Sequence, residues 1–228
     1  MQTLMKPVSY IERVTQPLKV VALGDSIVYG YGDTEGGGWV ERLRRGWMSV
    51  EAPSHVVYNL GVRGDRVFQV AERLENEFRY RGELKNKVPD LIILSVGLND
   101  SGRLGRLTGK NYTDFDVYKQ QLDNLLTQAK TLCPVLFVGM TPVDEKKMPF
   151  LDCLYYNHND QYRYKELAKT ICYRQNIPYL DIFELWIDRG ESWWKPLLSK
   201  DGLHPNINGY KALYQDVVNW AKIRELSW

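Results

Sequence analysis

Short apolar runs and helical stripes alternate along this chain. Five apolar stretches without a helical period read as strands, over 20–23, 56–58, 91–96, 135–140 and 178–183. Between them, apolar residues recur every three or four positions. Val40, Leu43 and Trp47 predict a helix over 39–50, and Val67, Val70, Leu74 and Phe78 one over 66–80. Leu122, Leu125, Leu126 and Ala129 mark a helix over 116–132; Tyr164, Leu167, Ala168 and Ile171 mark one over 160–175. A last helix starts near Asn206 or Asn208 and turns Tyr210, Leu213, Val217 and Trp220 inward. Strands that alternate with helices predict an α/β fold with a parallel sheet, and right-handed crossovers restrict its topology. A basic, Gly-containing loop is expected over 102–110. An irregular connection is expected over 141–156, where Pro142 and Pro149 fall, and a Trp-rich segment holds Trp186, Trp193 and Trp194.

Composition narrows the classes. The 228 residues suit one domain, expected over 19–228, preceded by a polar arm over 1–18 with Pro7 and Pro17. A net charge of +2 is too slight to argue for a nucleic-acid partner. No apolar run reaches the ~18 residues of a membrane span, and the N-terminus lacks the apolar core of a secretory signal. Cys133, Cys153 and Cys172 are an odd number without Cys-x-x-Cys spacing, which fits a reducing, cytoplasmic setting. His55, His158 and His204 are too scattered to suggest a metal site, so no metal or cofactor is expected.

Candidate chemistry concentrates at the ends of the expected strands. Gly24-Asp25-Ser26 closes the first. In open α/β sheets, ligands bind at that carboxyl edge, which makes Ser26 a candidate nucleophile; the same tripeptide also makes an ordinary helix cap. A serine hydroxyl needs an adjacent base, and an imidazole held by a carboxylate supplies one. Asp201-Gly202-Leu203-His204 offers both groups three residues apart, although a capping loop with a surface histidine reads the same way. Gly61 and Gly64 follow the second strand, and Asn99 follows the third within Gly97-Leu98-Asn99-Asp100. A glycine N–H and an asparagine amide are suitable donors to an oxyanion; tight turns would use the same residues.

Taken in order, these four blocks resemble the SGNH hydrolases, the GDSL esterase/lipase superfamily. The resemblance runs from about Lys19 to the C-terminal helix, with Ile27 where the name-giving block has leucine. It implies a three-layer α/β/α architecture with a flavodoxin-like, five-stranded parallel sheet. It further implies a Ser26, His204 and Asp201 triad acting on a small-molecule ester or thioester through an acyl-enzyme. The oxyanion donors would be the N–H groups of Ser26 and Gly64 and the side chain of Asn99, with Gly64 preferred over Gly61 because it precedes the aspartate. An O-acyltransferase with the same triad and a non-catalytic binding domain remain alternatives.

Other patterns carry less. The serine lacks the Gly-x-Ser-x-Gly elbow, and Glu35 breaks a dinucleotide fingerprint after Gly30 and Gly32. The run from Gly105 to Lys110 is one residue short of a phosphate loop. Trp193 and Trp194, shortly before Asp201, are candidates for an acyl pocket, set against a role in capping the core. Arg63, Arg66, Arg103 and Arg106 flank the Gly and Asn blocks, and Arg103 is the candidate for holding an anionic substrate group.

Overall fold

Val20, Val21, Ala22 and Leu23 are fully buried, so the first strand, β1 (Lys19–Gly24), has no solvent face. A strand covered on both sides needs helices above and below it, the arrangement of a parallel sheet. This computed structural model describes residues 17–48, 55–81 and 88–226. Most of the expected N-terminal arm lies outside them, as do the last two positions of the first expected helix.

After β1 come α1 (Ser26–Tyr29), α2 (Gly38–Trp47), β2 (Val56–Gly61), α3 (Val67–Tyr80), β3 (Leu91–Ser95) and α4 (Leu98–Ser101). The middle of the chain forms β4 (Arg103–Leu104), α5 (Phe115–Leu132), β5 (Val135–Val138), β6 (Leu154–Tyr155) and α6 (His158–Arg174). The remainder forms β7 (Tyr179–Leu180), α7 (Ile182–Asp188), α8 (Glu191–Trp194), α9 (Ile207–Asn219) and α10 (Ala221–Arg224).

The main sheet has five parallel strands in the order β2-β1-β3-β5-β7. Helices α3, α5 and α6 pack together on one face, and α2 and α9 pack together on the other. This is the three-layer, flavodoxin-like arrangement with its switch point at β1. Register then does the work of assembly. Gly24 lies opposite Gly61 on β2 and Ser95 on β3, so three strands end at one level. Ser26, Gly64 and Asn99 follow those three ends by two to four residues. Gly24 itself is required by close approach: a Cβ there would sit 2.0 Å from the Ser95 carbonyl oxygen.

Three sequence expectations are corrected. The fifth strand stops at Leu180, because the Asp181 side chain accepts the Glu184 N–H (3.2 Å) and starts α7. The 102–110 loop and the 141–156 connection are not wholly irregular. They pair antiparallel, Arg103 opposite Tyr155 and Leu104 opposite Leu154, as a two-stranded flap beside the sheet. Trp220 is not in the last helix but stands at the junction of α9 and α10, where it still packs, partly buried, against the core. Among the described residues, no helix is long and apolar enough to cross a membrane.

Candidate active site

The Gly-Asp-Ser turn divides its roles between two side chains. Asp25 is the cap: its carboxylate accepts the Ile27 N–H (2.9 Å). Ser26 is therefore the first residue of α1 with its hydroxyl uncommitted to the helix. Its Oγ lies 2.8 Å from His204 Nε2, and His204 Nδ1 lies 2.7 Å from Asp201 Oδ2. The other Asp201 oxygen accepts the N–H groups of Leu203 (2.9 Å) and His204 (3.0 Å). Partial burial opposes ionisation of Asp201, but the hydrogen bonds from the His204 ring and from these two N–H groups outweigh it and hold the carboxyl below its ordinary range. An ionised Asp201 only accepts, so the ring proton belongs on Nδ1 and the Nε2 lone pair faces the Ser26 hydroxyl.

The opposite wall is built from the ends of β2 and β3. Gly64 sits in a turn closed by the Asp65 N–H and the Val62 carbonyl (3.2 Å), with φ +82°, a conformation that favours glycine. Among the described residues, the N–H groups of Ser26 and Gly64 have no intramolecular acceptor. The Asn99 amide donates to the Asp65 carbonyl (2.9 Å), and its oxygen accepts from the Tyr156 hydroxyl (3.3 Å). Those two partners fix which end of the amide is nitrogen and leave it one further hydrogen. Arg73 ties the wall to β1 by bonding Asp65 (2.8 Å) and the Gly24 carbonyl (3.0 Å).

Behind this wall lie two buried acids. Asp100 accepts the Thr113 hydroxyl (2.7 Å) and the Val67 N–H (3.1 Å), which joins the Asn99 turn to α3. Burial nonetheless pushes its carboxyl up to about 6. Burial pushes Asp25 up to about 7, reinforced by the charges of Asp100 and Asp65 and opposed by the Ile27 N–H.

The structure brings Ser26, His204 and Asp201 into one hydrogen-bonded chain and sets Gly64 and Asn99 at the neighbouring strand ends. Arg103 is placed differently. Its guanidinium forms a two-pronged pair with Asp160 (2.5 and 2.9 Å) and bonds the Gly109 carbonyl (3.2 Å), so it braces the flap against α6. Trp194 is fully buried with its ring beside His158. Trp193, 37% exposed, packs on Trp186 and under Arg189. The rings that touch His204 are instead Tyr31, edge-on at 4.7 Å between centroids, and Phe150 at 5.6 Å. Neither shows in the sequence pattern, because Tyr31 sits in a glycine-rich loop and Phe150 in the aperiodic connection. A cleft of about 560 Å³ is lined by Arg103, Met148, Tyr155 and Tyr156, the last of which bonds Asn99. Another of about 530 Å³, lined by Tyr31, Gly32, Asn59 and Gly61, opens on the Tyr31 side.

Among the described residues, one trio of acids has metal-ligand spacing: Glu166, Asp181 and Glu184. The Lys165 ammonium already occupies its centre, at 2.8, 2.9 and 2.6 Å from the three carboxylates.

The chain is 23% identical over 230 residues to the uncharacterized protein YpmR of Bacillus subtilis (strain 168), covering 90% of this chain and 83% of that protein. The fold matches the lipase/acylhydrolase from Enterococcus faecalis with a TM-score of 0.71 at 21% identity, over 91% of this chain and 96% of that one. It also matches a catalytic mutant of the acetylxylan esterase Axe2 from Geobacillus stearothermophilus, with a TM-score of 0.70 at 17% identity over 95% and 97% of the two chains. The model of the GDSL-like lipase/acylhydrolase family matches residues 22–212, from β1 into α9, and this chain belongs to that family.

Proposed function

We propose that this chain is a serine acylhydrolase that cleaves carboxylic esters or thioesters through an acyl-enzyme. The observation that carries the reading is the unbroken chain from Ser26 Oγ to His204 to the Asp201 carboxylate. Ser26 Oγ attacks the substrate carbonyl carbon while its proton passes to His204 Nε2. Asp201 orients the ring and stabilises the imidazolium. The carbonyl oxygen becomes an oxyanion held by the N–H groups of Ser26 and Gly64 and the free hydrogen of the Asn99 amide. Collapse expels the alcohol or thiol, which takes the proton back from His204. Water then attacks the acyl-Ser26 ester by the same route, releasing the acid and restoring the serine.

A fluorophosphonate probe and a series of p-nitrophenyl esters of graded chain length test this reading. The wild-type protein is expected to be labelled and to hydrolyse at least the short esters. Ser26→Ala is expected to lose labelling and turnover with an unchanged melting temperature, since the hydroxyl contributes almost no packing. A Ser26→Ala protein with full activity would overturn the mechanism.

A further inference from the structure

We propose that Arg63 recognises an anionic group, a carboxylate or a phosphate, on the ester that reaches Ser26; the inference rests on the acylhydrolase reading above. Arg63 immediately precedes Gly64 and is exposed. Its guanidinium carbon stands 3.9 Å over the centre of the Tyr31 ring, and that ring meets His204 edge-on at 4.7 Å. The charge therefore lies no further from the His204 ring centre than these two lengths together. A cation over an aromatic face is held in place without being neutralised.

The nearby carboxylates are all committed elsewhere. Asp65 pairs with Arg73, Asp33 with Arg42, and Asp201 with His204. No described carboxylate lies within ion-pair distance of Arg63, whereas Arg103 is matched by Asp160. The flanking arginines are also occupied in part. Arg66 lies over Tyr112 and bonds its carbonyl (3.4 Å). A planar, permanently charged fork with its edges open to solvent, one aromatic ring away from His204, suits a carboxylate or phosphate on the substrate.

The test compares two esters of nearly equal size, 4-acetoxybenzoate (anionic) and 4-acetoxybenzamide (neutral). In Arg63→Gln the ratio of kcat/KM for the anionic over the neutral ester is expected to fall about five- to tenfold, mainly through KM, as for one partly exposed charge-assisted contact. Arg63→Lys should recover part of that ratio. In the wild type the ratio should fall between 0.05 and 0.5 M NaCl, and in Arg63→Gln it should not, because salt screens an exposed pair. An unchanged ratio in Arg63→Gln would overturn the proposal. Binding of 4-acetoxybenzoate to Ser26→Ala protein, with and without Arg63→Gln, separates the two readings. Binding that depends on Arg63 without any wild-type turnover of either ester would sink the hydrolase mechanism alone. Turnover with binding indifferent to Arg63 would sink the anion site alone.

Discussion

Replacing Asp25 by asparagine should flatten the pH dependence of this protein's stability. Asp25 is 2% exposed and its carboxyl is pushed up to about 7 from an ordinary 3.8, chiefly by burial. The folded protein thus keeps a proton that the unfolded chain releases above about pH 4. Stability from this group is fully present below about pH 4 and is lost as pH rises to about 7, where the folded carboxyl also ionises. About three pKa units at 1.36 kcal/mol each give a loss of about 4 kcal/mol. For a chain of this size that is on the order of 10 °C in melting temperature. Asp25→Asn keeps an oxygen for the Ile27 N–H and so keeps the cap on α1. Any poorly matched amide hydrogen lowers the variant's curve equally at every pH, so the slope is the readout and the intercept is not. Asp100 is a poorer choice, since its two oxygens serve two donors and asparagine retains one acceptor. The assay is thermal melting of both proteins between pH 4.5 and 8.5. The difference in melting temperature, variant minus wild type, should rise by about 10 °C from the acid to the alkaline end. Parallel curves would show that Asp25 is ionised throughout and would refute the assignment of its shift to burial.

Asn99→Ala removes one proposed oxyanion donor and should lower kcat on the order of 100- to 1000-fold with little change in KM, measured on a p-nitrophenyl ester. Trp194→Ala empties a fully buried ring site and should cost about 3–5 kcal/mol by urea unfolding, whereas Trp193→Ala, at a partly exposed ring, should cost on the order of 1 kcal/mol.

The sheet was readable because its strands obey a local rule. Residues 20–23 and 91–94 are apolar on both faces, and only a two-sided burial demands that. The flap was not readable, since β4 and β6 are two residues each and find one another across a long stretch of chain. Neither contains a pattern of its own to detect. Asp181 misled for a related reason: a single carboxylate outweighed the strand-like run around it by capping α7. Within the site, the residues at the strand ends came from their position and the resemblance to the SGNH blocks together. The aromatic pair on His204 and the partner of Arg103 did not, because Phe150, Tyr31 and Asp160 are defined by tertiary contact. Arg103 and Arg63 look alike as letters near a motif; only the position of Asp160 separates a brace from an open charge.

The loop that carries the base is largely its own scaffold. Besides the two N–H groups that Asp201 gathers, the Ser199 N–H meets the His204 carbonyl (2.7 Å), the Gly202 N–H meets the Ser199 carbonyl (3.0 Å), and Leu198 bridges Pro205. From the chain between Ser26 and Leu198, the Asp144 N–H meets the Gly202 carbonyl (2.8 Å) and Lys147 bonds the Ser199 carbonyl (3.2 Å), and the bonds within the loop outnumber these. The long intervening chain is thus free to gain or lose residues in its surface connections while the base keeps its shape. Tolerance to length change should be sharply uneven. One residue inserted between Asp201 and His204 would dismantle the base outright. Several inserted at the Gly105 to Gly109 turn would lengthen the flap and redraw the cleft, which makes that turn a natural place for relatives to diverge in what they accept.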